Sequence, residues 1–203
     1  MSRKLNMSLV RYFARLENLD DKWKELAEKA ERPLEALANQ AEQLRHVTNV
    51  NINETENSVN GETQERLIFK ILMGIEDEIT LLLDILMQFN DNNQDLKNYL
   101  INLENARSQV SLKDETMQEL IKGTSYRPKL NLLLEWAMEG FQFYNNMYLS
   151  IRDCMKSIDY KREETIDDLI SSFVEDQRGR RNINKILAFT QFLALQGDSS
   201  LRR

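Results

Sequence analysis

The chain has 203 residues, with 27 Lys plus Arg against 33 Asp plus Glu, a formal charge of −6, one His and one Cys. Six Gly and two Pro are too few for a sandwich, a barrel or a Rossmann domain, all of which need many tight turns, so helices must carry most of the chain. The acidic balance argues against non-specific nucleic-acid binding as the main activity while leaving room for a local basic patch, a single Cys makes no intrachain disulfide, and apolar runs such as Leu81–Leu83 fall far short of the roughly 20 residues that span a membrane.

The first predicted tract covers residues 1–48. Its apolar residues recur at Leu5, Leu9, Tyr12, Leu16, Leu19, Trp23, Leu26, Ala30, Leu37, Ala41 and Leu44. Steps of four and three make a seam along which one helix packs on another. Pro33 predicts a kink, or a new helix with the proline in its first turn. Residues 1–16 carry Arg3, Lys4, Arg11 and Arg15 and no acid. Mitochondrial presequences share that composition, but here the seam runs through the same residues. No apolar stretch of a secretory signal is present.

Residues 49–64 are Asn-rich and aperiodic, which predicts a flexible loop. A second tract, 65–121, has its seam at Ile68, Leu72, Ile75, Ile79, Leu82, Leu86, Phe89, Leu96, Leu100, Leu103, Val110, Met117 and Ile121, with polar Asn93, Arg107 and Asp114 in register. The cluster Asn90–Asn93 contains poor helix formers and predicts a bend or a break. Residues 122–129, with Gly123 and Pro128, read as a turn.

The third tract, 130–160, repeats the seam at Leu130, Leu134, Ala137, Phe141, Tyr144, Tyr148, Ile151, Met155 and Ile158. It adds a second apolar stripe at Leu132, Trp136, Phe143, Met147 and Cys154. Two stripes imply a central helix, or one whose second face meets a partner. Two short amphipathic helices are predicted within 161–196, with Gly179 as the stop between them, followed by a tail at 197–203. The expected fold is all-α: a single-domain, elongated antiparallel bundle with coiled-coil-like heptad packing, three long tracts and two short C-terminal helices.

Chemistry is sparse. The glycines at 61, 74, 123, 140, 179 and 197 are too scattered for a phosphate-binding loop. A bundle di-iron site needs two Glu-x-x-His pairs and a zinc site several Cys or His; His46 and Cys154 stand alone. His46 reads as a helix C-terminal residue and Cys154 as a buried thiol. The acidic groups Glu76–Glu78 and Glu163–Glu164 read as solvated surface or as complements to a helix dipole. Arg178–Arg181 is the one dense basic cluster and reads as a solvated turn. No catalytic residue, metal ligand or cofactor site is expected, and no enzyme. The partner-binding candidates come from the second stripe: Leu132, Trp136, Phe143 and Met147, with Trp136 the best anchor.

Two stretches carry a family resemblance. One reads Trp23-Lys24-Glu25-Leu26, Arg32-Pro33-Leu34 and Ala41-Glu42-Gln43-Leu44. The other reads Leu133-Leu134-Glu135-Trp136, Tyr144, Tyr148 and Ser157-Ile158-Asp159-Tyr160. Their order and spacing resemble the AIRIM family of ribosome maturation factors. The resemblance implies a non-catalytic adaptor subunit of an AFG-two-type AAA ATPase complex. Its partners would be the ATPase subunits and a second small helical subunit of the cyclin-dependent-kinase-interacting type, with pre-ribosomal particles met indirectly. It further implies action in large ribosomal subunit maturation and in replisome proteostasis, in cytoplasm and nucleus. From the acidic balance and the short apolar runs, neither membrane nor nucleic acid is expected as a direct partner. The heptads alone equally suit a structural coiled-coil subunit of a kinetochore, microtubule or tethering complex.

Overall fold

A computed structural model describes residues 2–49, 58–111, 117–124 and 127–199. These form the helices α1 (Ser2–Asn49), α2 (Ser58–Ser108), α3 (Gln118–Lys122), α4 (Leu130–Ser157), α5 (Glu163–Ser172) and α6 (Gln177–Ser199). The fold is all-α, and the long helices pack against each other. Among the described residues no helix is long and apolar enough to cross a membrane.

The four-three periodicity becomes burial. Every seam residue of α1 named above, from Leu5 to Leu44, is almost fully buried, and so are Ile75, Leu82, Phe89, Leu96 and Leu103 of α2. Burial of such side chains contributes about 1.5–3 kcal/mol each, which is why tertiary packing decides the helix ends. It also outweighs local propensity. Helix α1 runs through Pro33 as one element. Helix α2 runs through Asn90–Asn93 as one element, because Asn93 is buried and donates from Nδ2 to the Tyr144 carbonyl at 3.2 Å.

Several expected boundaries move. Residues 58–64, expected as loop, belong to α2; the loop residues 50–57 lie outside those described. The second tract ends at Ser108 rather than at 121, with α3 a separate short element; Asp114 lies outside the described residues. Gly179 is no stop. It sits within α6, which runs on through Ser199. Residues 200–203 of the expected tail are outside the described set.

The chain divides into two compact units. The first takes residues 1–23, 90–147 and 175–203, and the second takes 24–89 and 148–174. In the first unit α2 runs against α1, since Lys4 meets Gln109 while Arg15 meets Asn92. Helix α4 runs with α1: Asn6 pairs with Arg127, Tyr12 with Ala137 and Asp20 with Tyr144. Helix α6 returns against α4, bringing Asn182 to Glu139 and Phe189 to Trp136. In the second unit α2 again opposes α1, with Gln64 at Val47. Arg45 of α1 lies 3.8 Å from Glu163 at the start of α5, and the rings of Phe89 and Phe173 sit 6.3 Å apart.

Candidate partner-binding surface

The position of α6 decides which apolar surface remains open, and a buried polar cluster sets that position. Asp20 of α1 is 3% exposed. Its Oδ1 accepts the Tyr144 hydroxyl at 2.5 Å and the Arg180 guanidinium at 2.5 Å. Arg180 also forks onto Glu175 through Nε and Nη2. A carboxylate taken out of water is tolerable only when paired in this way. Burial, and then the bond to Asp20, push the Tyr144 phenol far above its usual value. Burial works against the Arg180 charge, yet the bonds to Glu175 and Asp20 outweigh it and hold the guanidinium charged.

Phe143 completes the joint. The Arg180 guanidinium lies 5.8 Å from its ring centre. A Cβ on Gly179 would stand 2.6 Å from Phe143 Cε2, so only glycine lets α6 come this close. The Asp176 carboxylate caps the helix by accepting the Gly179 N–H at 2.7 Å. Backbone donors from Gly179 and Arg178 hold that carboxyl below its ordinary range. The basic cluster is therefore the first turn of α6 and not a solvated loop. Arg180 is committed internally, while Arg178 and Arg181 are exposed.

Helix α6 thereby covers part of the second stripe of α4. Trp136 is only 5% exposed and its ring lies 5.8 Å from that of Phe189. Phe143 and Met147 are half-buried, Leu132 is exposed, and Cys154, expected as buried, is half-buried. Leu132 and Trp136 of α4 and Lys185, Phe189 and Phe192 of α6 line a groove of about 530 Å³ that Arg127 and Pro128 close at one end. Gly123, at φ 70, precedes Thr124, which pairs with Arg127 at this end. Phe143 and Met147 do not line the groove. Its walls include Phe189 and Phe192, each more than half exposed.

A second open surface was missed altogether. On α2, Phe69, Met73, Leu83 and Met87 are exposed, Phe69 by 64% and Met87 by 58%. Separations of four, fourteen and eighteen residues from Phe69 return close to whole helical turns. The four side chains therefore share one face, about 27 Å long, with the exposed Glu76 and Thr80 between the two pairs. The off-seam spacing of these residues in the sequence was the available signal.

Among the described residues no cluster of three or more His, Cys, Asp or Glu is placed to hold a metal. His46 lies in the last turn of α1, and Glu163 and Glu164 in the first turn of α5. The model of the C1orf109-like family, described as ribosome biogenesis proteins, matches residues 3–192. The chain belongs to this family. It is the AIRIM family that the sequence resembles, and the match takes in every helix described above except the last turns of α6. No curated protein matches the chain significantly.

Proposed function

We propose that this ribosome biogenesis protein is a non-catalytic adaptor subunit, which joins an AAA ATPase to a second small helical subunit during large ribosomal subunit maturation. The observation that carries the reading is the open row Phe69–Met73–Leu83–Met87 on α2. Soluble proteins keep large apolar side chains in line on a surface where a partner covers them. A row at helical spacing fits an amphipathic helix laid along it. The apolar groove at Leu132, Trp136 and Phe189 offers a second attachment point, as joining two partners requires. The scattered glycines suit a division of labour in which the partner hydrolyses ATP.

Tagged chain purified from cells, followed by mass spectrometry, tests the reading. Stoichiometric AAA ATPase together with a small helical protein is the expected result. Met73→Asp with Met87→Asp should lose one of the two partners while keeping the circular dichroism of the wild type. Recovery of a cytoskeletal or kinetochore assembly without an ATPase would replace the adaptor reading by that of a structural coiled-coil subunit.

A further inference from the structure

At the beginning of α1 and the end of α2, in the first unit, lies a groove of about 820 Å³. Arg3, Lys4 and Arg11 line it from α1, and Tyr99, Asn102 and Gln109 from α2. Among the described residues no Asp or Glu lines it. All three cations are exposed. Lys4 Nζ bonds the neutral Gln109 amide oxygen at 3.0 Å and meets no carboxylate among the described residues. Among the described residues Arg3 and Arg11 meet no carboxylate. The contrast with the next cation is direct: Arg15 Nε lies 2.5 Å from Asp95. The first acid of the chain is Glu17. Positive potential thus collects here although the whole chain is acidic, and it is local potential that attracts a polyanion.

From Arg3 to Arg11 is eight residues, roughly 12 Å along a helix. That length lets an extended strand lay a few successive phosphates along the three cations. Guanidinium forks suit phosphate oxygens. Tyr99, half-buried beside the cations, offers a ring on which a base stacks, and the side-chain amides of Asn102 and Gln109 offer donors and acceptors to base edges. An acidic peptide would use the cations and leave the ring and amides idle. We infer that this groove binds single-stranded RNA, with phosphates on Arg3, Lys4 and Arg11 and a base on Tyr99. The choice of RNA rests on membership of a ribosome biogenesis family and not on the adaptor reading. The expectation of no direct nucleic-acid contact rested on net charge, which does not describe this groove.

Anisotropy of a short fluorescein-labelled oligouridylate, titrated with the full chain at several salt concentrations, tests the inference. Binding should weaken with salt, and Arg3→Glu with Lys4→Glu and Arg11→Glu should abolish it. The milder pair Arg3→Gln and Arg11→Gln should reduce the slope of log affinity against log salt by about 1.4. Tyr99→Ala should weaken RNA binding about tenfold with the salt slope kept. Arg178→Glu with Arg181→Glu, exposed cations elsewhere, should bind as wild type. The inference is overturned if the wild type does not bind, or if the off-site pair weakens binding as much as the groove substitutions. It also fails if a polyglutamate peptide of equal charge displaces the RNA as well as unlabelled oligouridylate does, since the groove then belongs to an acidic protein.

Discussion

The Tyr144 hydroxyl donates to Asp20 Oδ1 at 2.5 Å between two buried side chains that stand 124 residues apart in sequence. The same oxygen accepts Arg180 of α6, so one atom ties α1, α4 and α6 together. Removing Asp20 leaves a guanidinium and a phenol half-satisfied in the interior. Asp20→Ala should lower stability by about 3–5 kcal/mol. Tyr144→Phe, which deletes only the hydroxyl, should cost about 1–3 kcal/mol. Urea unfolding followed by circular dichroism gives both values, and the reverse order would mean that the carboxylate does not hold α6.

Two phenols make the fold sensitive to alkali. Burial raises the Tyr12 pKa above the ordinary value, and burial and then Asp20 do the same for Tyr144. Both are un-ionised in the fold, whereas the unfolded chain ionises them above about pH 10. Their contribution is complete below that pH and is lost as pH rises above it toward the folded values. Phenolate absorbance should therefore rise in two stages, the second coinciding with loss of helical ellipticity. Tyr12→Phe with Tyr144→Phe should remove the second absorbance stage.

Two glycines in helices should respond to alanine with opposite signs. At Gly61 a Cβ meets nothing within 4 Å, so Gly61→Ala should stabilise α2 by about 0.4–1 kcal/mol through the unfolded chain. At Gly179 the added carbon runs into Phe143. Gly179→Ala should destabilise by about 1–3 kcal/mol, measured as a shift in the urea midpoint.

Neighbouring leucines test the register of α2. Leu82 is fully buried and Leu83 is 49% exposed. Leu82→Ala should cost about 2–5 kcal/mol. Leu83→Ala should stay within about 0.5 kcal/mol of wild type. Equal losses at both would mean the helix is rotated from the position described.

The seam was legible because burial follows a period that needs no partner to be named: steps of four and three from Leu5 to Leu44 mark the buried face wherever the neighbouring helix lies. Continuity was not legible. Asn90–Asn93 reads as a break by propensity, but long-range contacts, among them Asn93 to a carbonyl 51 residues away and Arg15 to Asn92, hold α2 whole. Arg178–Arg181 reads as one basic patch, because nothing local reveals that Arg180 answers a carboxylate 160 residues upstream. Among the proposed surface residues, Leu132 and Trp136 stand at the groove, whereas the cover that α6 places over Phe143 is a long-range fact. The row at Phe69, Met73, Leu83 and Met87 was present in the spacing and was hidden by the stronger seam beside it.

The first unit is assembled from three separate lengths of chain, of which the last begins at Glu175. A nascent polypeptide therefore makes Asp20, Trp136 and Tyr144 before it makes the helix that caps them. Throughout that interval Trp136 and Phe143 lack the cover of α6, and growing chains crowded on one message would present the same sticky face to each other. A message truncated before Glu175 should therefore yield chains that aggregate rather than a smaller soluble protein.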